Sequence, residues 1–240
     1  MKKILILSLV VLISISCKVE QAIIFNEINL LYNENSIVEI NTLKATGNDK
    51  ISETINSTIE NHMADLLNFT DDDTNTIPLK EAISQFDNQF TTFKDDFEES
   101  ALVWEATFDT EVTYQSSSII SIAVNSYLNT GGAHGNTNIT FYNFDITTAK
   151  VIEMKNLITD VDAFTKIANE YFLMETNNQD VEYFFGEEFH LPDNLGFNEE
   201  GVILFYNVYE IASYATGITE FTIPFDEISS YLNEIITEAI

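Results

Sequence analysis

The residues whose types could do chemistry lie in two segments of the chain, 125–136 and 209–217. The first reads Asn-Ser-Tyr-Leu-Asn-Thr-Gly-Gly-Ala-His-Gly-Asn. Its two adjacent glycines allow positive φ and a close approach of the backbone to a partner, and its histidine, His134, can donate or accept a hydrogen bond. The second reads Tyr-Glu-Ile-Ala-Ser-Tyr-Ala-Thr-Gly and places two tyrosines and one carboxylate in a compact turn.

Both segments connect predicted strands and are richer in Gly, Tyr and ionisable groups than a linker requires, so we expect them to lie together and to form or brace one functional surface. The predicted binding residues are Asn129, His134, Tyr209, Glu210 and Tyr214. The predicted turn-forming residues are Gly131, Gly132 and Gly217. The alternative is structural: the glycines serve a tight bend, Glu210 caps backbone N–H groups and the tyrosines pack.

Metal and cofactor signals are weak in this sequence. Asp71, Asp73 and Asn75 resemble the start of a calcium loop, but Thr76 replaces the required glycine and Ala82 the bidentate glutamate. The chain has no Gly-x-Ser-x-Gly elbow, phosphate-binding loop or His-Glu-x-x-His motif. We therefore expect no metal site and no cofactor.

Charge excludes several classes of partner. Asp and Glu total 39 against 10 basic residues, all of them lysine, which gives a formal net charge of −29. Nucleic acid binding needs a basic surface, and bidentate clamps on carboxylate or phosphate need arginine, so neither is expected. A charge of this sign attracts cationic partners and repels anionic membranes.

The N-terminus has the order of a bacterial lipoprotein signal. Met1-Lys2-Lys3 is followed by an apolar run over 4–15, then Ser16 and Cys17, which is the only cysteine. Such a run is too short to span a bilayer and instead predicts a secretory signal peptide that ends at a lipid-acceptor thiol. We expect export, a lipid anchor in the bacterial cell envelope (outer membrane or cell surface) and no intramolecular disulfide.

Hydrophobic periodicity predicts both strands and helices. The clearest strand runs from Trp104 to Tyr114, with one apolar and one acidic face. The predicted strands are 38–40, 104–114, 120–124, 139–146, 202–209 and 221–223. The predicted helices are 51–66, the stripe from Pro78 to Phe97, a helix after Thr159 and a closing helix over 228–235. Residues 120–146 are expected to form a hairpin connected through Gly131-Gly132.

The order of these elements predicts an α+β fold of mostly antiparallel sheet with packed helices, in two small α+β subdomains. The predicted division is a signal peptide over 1–16, a lipid-anchored tether over 17–36, an N-terminal subdomain over 37–120 and a C-terminal domain over 121–240.

Asn-Thr-Gly-Gly-Ala-His and Tyr-Glu-Ile-Ala-Ser-Tyr-Ala-Thr-Gly resemble two signatures of a bacterial extracytoplasmic domain of unknown function. That domain occurs in RsiV-type anti-sigma factors and beside the catalytic domain of some peptidoglycan deacetylases. The stretch 218–223 and Pro224 after the second motif also fits, and 37–120 resembles the small domain that usually precedes it. One departure is Ser213, where the family usually has proline. The resemblance implies an envelope-facing binding module, in some relatives for lysozyme.

These observations favour a non-catalytic, lipid-anchored envelope protein that binds a cationic protein such as lysozyme or a cell-wall glycan of peptidoglycan. The alternative is a cell-wall hydrolase with Glu210 as acid or base and His134 as helper, which would need a deep cleft and a perturbed carboxylate.

Lipidation is directly testable at Cys17. Cells that express the wild-type chain and are fed a fatty-acid probe should label this protein, because the apolar run ends there and no other cysteine competes. Equal labelling of a Cys17→Ala variant would rule the anchor out.

Overall fold

The computed structural model describes residues 22–69, 76–97, 102–176, 183 and 189–237. Within these ranges the chain has the predicted α+β fold, with one six-stranded and one three-stranded sheet. The strands are β1 Ile24–Asn33, β2 Ile37–Thr46, β3 Glu105–Gln115, β4 Ile119–Asn129, β5 Asn136–Asp145, β6 Lys150–Val151, β7 Leu195–Phe197, β8 Gly201–Tyr206 and β9 Thr219–Pro224. The helices are α1 Asp49–Leu67, α2 Leu79–Asp96, α3 Val161–Thr176, α4 Phe225–Ile228 and α5 Glu234–Thr237.

The larger sheet has the strand order β1-β2-β3-β4-β5-β6. All neighbouring pairs are antiparallel except β2 and β3, because α1 and α2 connect these two strands and return the chain in the same direction. The predicted hairpin over 120–146 is confirmed: β4 and β5 pair from Ile119 opposite Asp145 to Leu128 opposite Asn136. Its turn is the glycine-containing segment.

Strand β4 is central, and its two faces enter two different cores. Ile120, Ile122 and Val124 face α1 and α2 and join the first core. Ile119 belongs to the second core, which is built around α3 and the β7–β9 sheet. Because both faces are covered, β4 is apolar over most of its length instead of alternating.

Helices α1 and α2 bury the apolar stripes that the sequence predicts. Pro78 immediately precedes α2, and Ala82, Ile83, Phe86 and Phe90 of this helix are buried. Phe97 continues the stripe in sequence but is 58% exposed, because it lies beyond the last helical residue. The stripe therefore packs against the sheet only as far as the helix itself does.

The C-terminal unit packs on the opposite face of the larger sheet through β7. The Phe197 N–H donates to the Ser121 hydroxyl oxygen at 3.2 Å, and the Asn143 amide donates to the Leu195 carbonyl at 2.8 Å. The Asp160 carboxylate caps α3 by accepting from the Ala163 N–H at 3.0 Å. None of the helices in the described ranges combines the length and apolar character needed to cross a bilayer.

Two predicted boundaries are wrong. Much of the segment predicted as a tether, 17–36, is strand β1, which pairs with β2 over ten residue pairs. Residues 17–21 and the predicted signal peptide lie outside the described residues. The predicted division between 120 and 121 falls inside β4, although β3 and β4 belong to one sheet. Polar residues on the exposed edge strand β1 gave it the composition of a linker.

The predicted closing helix over 228–235 is also wrong, because the chain straightens at Leu232. That residue has φ −88° and ψ 156° and forms an isolated antiparallel bridge with Ile158. The Thr159 N–H donates to the Tyr231 carbonyl at 2.7 Å and the Asn233 N–H donates to the Leu157 carbonyl at 2.9 Å. These long-range bonds replace the helical ones, so α4 and α5 are single short turns.

The carboxylate of Asp87, on α2, fixes the turn between β1 and β2. It accepts from the main-chain N–H groups of Asn35 and Ser36 at 3.0 and 2.7 Å, and from their side chains at 2.7 and 2.8 Å. Burial raises the pKa of this carboxyl, but the hydrogen bonds from Ser36 and Asn35 outweigh burial and hold the pKa below its usual value.

We expect Asp87→Asn to lower the free energy of unfolding at neutral pH by about 1 kcal/mol, because the site is partly exposed and the charged acceptor is lost. A carboxyl whose pKa is lowered by folding stabilises the protein above its pKa in the unfolded chain, and this contribution disappears as the pH falls through the folded-state pKa. Urea unfolding at neutral and acid pH measures both effects. Asp96→Asn, at the exposed end of the same helix, is the control. A deficit that stays the same at acid pH would contradict the assignment.

Candidate functional site

The two sequence motifs meet at one end of the larger sheet. The first forms the turn between β4 and β5, and the second follows the end of β8. His134 stacks on Tyr214 with ring centroids 3.7 Å apart and an interplanar angle of 22°, and Tyr209 lies 5.5 Å from Tyr214 and 6.3 Å from His134. We call these three side chains the ring cluster. The expected proximity of the motifs is confirmed, although they are 75 residues apart at the His134–Tyr209 contact.

Hydrogen bonds fix the arrangement of the ring cluster. The Gly135 carbonyl accepts from the Tyr214 hydroxyl at 3.3 Å and lies 2.8 Å from His134 Nδ1. Because a carbonyl oxygen can only accept, Nδ1 carries the proton, and in the neutral ring Nε2 then accepts from the Tyr209 hydroxyl at 3.2 Å. The histidine ring is therefore held in one tautomer and one orientation.

The ring cluster faces solvent instead of filling a core. Tyr209 is 55% exposed and Tyr214 is 37% exposed, and nearby Ile218 is also exposed. Tyr209 has φ 67°, in the left-handed region that residues with a Cβ rarely occupy. An exposed aromatic residue held in an unfavourable backbone conformation is a candidate for function, because packing alone does not account for it.

Two of the three predicted turn glycines have the expected backbone. Gly131 has φ 94° and Gly217 has φ 80°. Gly132 lies in the same turn, but its φ is outside the positive range, and a Cβ there would meet only the His134 carbonyl oxygen, at 3.6 Å. At the end of the β4–β5 turn, glycine is required at Gly135, where a Cβ would collide with the Tyr127 ring.

Glu210 stabilises the turn that carries Tyr209 by accepting hydrogen bonds from main-chain N–H groups. One carboxylate oxygen accepts from the Asn207 N–H at 2.8 Å, and the other accepts from the Asp193 N–H at 3.0 Å. The carboxylate thereby ends β8 after Tyr206, where the sequence predicted strand as far as 209. These two bonds match the structural alternative, in which Glu210 caps backbone N–H groups.

Two asparagine side chains attach this turn to β5. The Asn207 amide accepts from the Ile139 N–H at 2.8 Å and donates to the Ile139 carbonyl at 3.0 Å. The Asn194 amide accepts from the Phe141 N–H at 2.9 Å and donates to the same Ile139 carbonyl at 2.8 Å. We call Asn194 and Asn207 the amide clamp. It pairs with the edge of β5 as a neighbouring strand would.

An open groove of about 560 Å³ lies beside the ring cluster. Its lining mixes amide, carboxylate and aromatic side chains, contributed by Asn138, Thr140, Phe141, Asp193, Asn194, Asn207, Val208, Tyr209 and Glu210. A shallow, polar groove of this kind suits recognition of a surface or a chain more than enclosure of a small molecule.

The remaining predicted residues have local roles. The Asn129 side chain accepts from the Gly131 N–H at 3.4 Å and so belongs to the turn. Ser213 has φ −63°, the value that proline would impose, so its departure from the family pattern leaves the turn geometry intact. Within the described ranges, no group of three or more His, Cys, Asp or Glu side chains is placed to hold a metal ion. The suggested calcium loop lies mainly outside them, at 71–75.

Sequence reasoning missed the amide clamp, Asp193 and Gly135. Asn194 and Asn207 lie 55 and 68 residues from Ile139, to which both bond. Asn207 directly follows a buried apolar strand, which marks the end of β8, but nothing in the sequence relates it to β5. Gly135 lies in the first motif and was visible there as a third glycine.

Two family models match this chain. The model described as Deacetylase PdaC matches residues 31–137, and the model of the protein of unknown function DUF3298 matches residues 153–226. Residues 31–137 are thus similar to the PdaC family and residues 153–226 to the DUF3298 family, and the resemblance given by the two motifs is confirmed.

Solved structures share the fold. A member of the DUF3298 family from Bacteroides fragilis has a TM-score of 0.71 at 16% identity, over 91% of this chain and 96% of its own. A DUF3298 family protein from Pseudomonas aeruginosa has a TM-score of 0.61 at 19% identity, over 90% of this chain and 96% of its own. A search of curated proteins found no match.

The positioning role of Glu210 can be tested by substitution. Glu210→Gln leaves one of the two main-chain N–H groups without an acceptor, and we expect it to lower the free energy of unfolding by about 1–3 kcal/mol. Asn207→Ala should cost a similar amount, because it removes both bonds to Ile139. Urea unfolding measures the change, with Glu200→Gln at an exposed carboxyl as the control. A Glu210→Gln variant as stable as the control would contradict this role.

Proposed function

We propose that this protein, which joins a PdaC-type region to a DUF3298 region, is a non-catalytic, lipid-anchored binding protein of the bacterial cell envelope. Its ligand is a cationic protein such as a lysozyme, and its binding surface is the ring cluster with the adjacent groove. The observation that carries the proposal is that two distant motifs converge on exposed aromatic rings in a chain of net charge −29.

Electrostatics supports a cationic partner. Among the described residues, the one ion pair within salt-bridge distance joins Lys155 to Glu153, both exposed, so most carboxylates have no lysine to neutralise them. An excess of negative charge raises the association rate of a basic protein and makes its affinity fall as salt is added.

The chemistry of the ring cluster supports the same class of partner. Lysine and arginine side chains bind over tyrosine rings by cation–π attraction, and tyrosine is enriched among residues that dominate interface energies. The ring cluster is held by hydrogen bonds to the Gly135 carbonyl before any partner arrives, so little conformational entropy is lost on binding.

The geometry of Glu210 argues against the hydrolase alternative. Both of its carboxylate oxygens already accept main-chain N–H groups, whereas a general acid or base must reach the substrate. The groove beside it is open, whereas the hydrolase alternative calls for a deep cleft.

A cell-wall glycan is the second candidate, and the composition of the groove favours it. The side chains of Asn138 and Thr140 and an exposed tyrosine offer hydrogen bonds and an apolar ring to a neutral polar chain. Binding of such a ligand would depend little on salt, and this weak salt dependence distinguishes glycan binding from binding of a basic protein.

The test is titration calorimetry of the chain from residue 17 onward, carrying Cys17→Ser, with a lysozyme at low and at physiological salt. We expect affinity to fall as salt rises, and the Tyr209→Ser/Tyr214→Ser double variant to bind at least about tenfold more weakly, equivalent to about 1.4 kcal/mol. Tyr32→Ser, on the opposite edge of the larger sheet, is the matched control.

The outcomes separate the candidates. Equal binding by the double variant and the control would reject the ring cluster as the binding surface. Salt-independent retention on purified peptidoglycan, without binding of the lysozyme, would favour the glycan. Release of soluble fragments from peptidoglycan, abolished by Glu210→Gln, would restore the hydrolase.

A further inference from the structure

Strand β1 forms an open edge of the larger sheet. It is ten residues long and, among the residues that the structure describes, pairs with β2 on one side only, at the end of the strand order. Its apolar side chains are unusually accessible: Leu31 is 64% exposed, Ile24 60%, Leu30 40% and Tyr32 36%. A long edge strand with exposed apolar side chains is a template for pairing with another strand.

Within the described ranges, the chain protects the opposite side of the sheet but not β1. There, β6 pairs with the end of β5, and the amide clamp bonds to the main chain at Ile139 and Phe141. Strand β1 has none of the usual edge devices: its sequence contains no lysine and no proline, its single charge is Glu27, and its register with β2 is unbroken. This contrast indicates that the β1 edge is left available for a partner strand.

A groove with apolar and polar lining runs along the same edge, and its polar lining comes from Thr42, Lys44, Asn56 and Glu60. It has a volume of about 140 Å³ and lies between β1 and the helices α1 and α2. Its apolar lining comes from Ile28 and Leu30 of β1, Ile40 of β2, Ile59 and Met63 of α1, and Leu79 of α2. A further strand added to β1 would place alternate side chains over this groove.

We propose that the partner strand is β1 of a second copy of this chain, paired antiparallel across a twofold axis. Placing Ile28 opposite Ile28 of the second copy sets Ile24 opposite Tyr32 and Phe25 opposite Leu31. Glu27 then faces Asn29, so no like charges oppose each other. The strand is thus complementary to itself, as a twofold interface requires.

The size of this contact suits a reversible dimer. An antiparallel ladder over ten residues supplies about ten hydrogen bonds, which is the number in a typical specific interface. Repulsion between two chains of net charge −29 opposes association at low salt. Dimerisation should therefore strengthen as salt rises, which is the opposite of the salt effect expected for a basic protein.

Sedimentation equilibrium on the chain from residue 17 onward, carrying Cys17→Ser, tests the dimer. We expect the dimer fraction to rise with protein concentration and with salt. Leu31→Lys should raise the dimer dissociation constant at least about tenfold, because a lysine on an edge strand opposes pairing. The melting temperature at low concentration should stay unchanged, since this side chain is exposed in the monomer. Leu173→Lys, a 57% exposed leucine on α3, carries the same charge change and is the matched control.

A wild-type chain that stays monomeric at every concentration and salt would overturn the proposal. So would a dimer that Leu31→Lys and Leu173→Lys weaken equally, because the contact would then lie elsewhere. Lysozyme binding is measured separately, so either proposal can fail without the other.

Discussion

The amide clamp on the edge of β5 is the interaction on which the candidate site depends. A sheet edge presents main-chain N–H and C=O groups that need partners, and a carboxamide offers one donor and one acceptor at the spacing of a peptide group. Asn207 satisfies both groups of Ile139, and Asn194 adds the Phe141 N–H. These bonds attach the C-terminal unit to the larger sheet in one register. Glu210 then anchors the Asn207 and Asp193 main chains, so that the turn carrying Tyr209 has one position.

The position of the ring cluster follows from this attachment of the C-terminal unit to the larger sheet. The β4–β5 turn brings His134 to the edge of the sheet, and the turn after β8 delivers Tyr209 and Tyr214 against it. The Gly135 carbonyl orients His134 and Tyr214 together, and the absence of a side chain at Gly135 leaves room for the Tyr127 ring. Aromatic rings that meet in this way are rigid and exposed, which is the combination that recognition surfaces use.

The two edges of the larger sheet differ in whether their outward-facing main-chain N–H and C=O groups are covered. One side is closed by β6 and the amide clamp, while β1 ends the other side with apolar side chains, three asparagines and one carboxylate. A strongly acidic chain keeps like copies apart by repulsion, so an edge almost free of charge is the part of its surface most suited to contact with another strand. Negative charge on the rest of the surface thus keeps copies apart, whereas the β1 edge is suited to pairing with another strand.

The sequence by itself determined the local structure. Alternation predicted β3 and the β4–β5 hairpin, the aromatic stripe predicted α2, and the two motifs predicted a shared surface around His134, Tyr209 and Tyr214. The strand, the hairpin and the helix depend on residues close in sequence, where periodicity and turn chemistry act. Only the tertiary structure decided the bonds of Asn194 and Asn207 to β5, the capping role of Glu210, the strand β1 in place of a tether and the break at Leu232. Each of these depends on a partner far along the chain, and a hydrogen bond to a distant main-chain group leaves no periodic trace in the sequence.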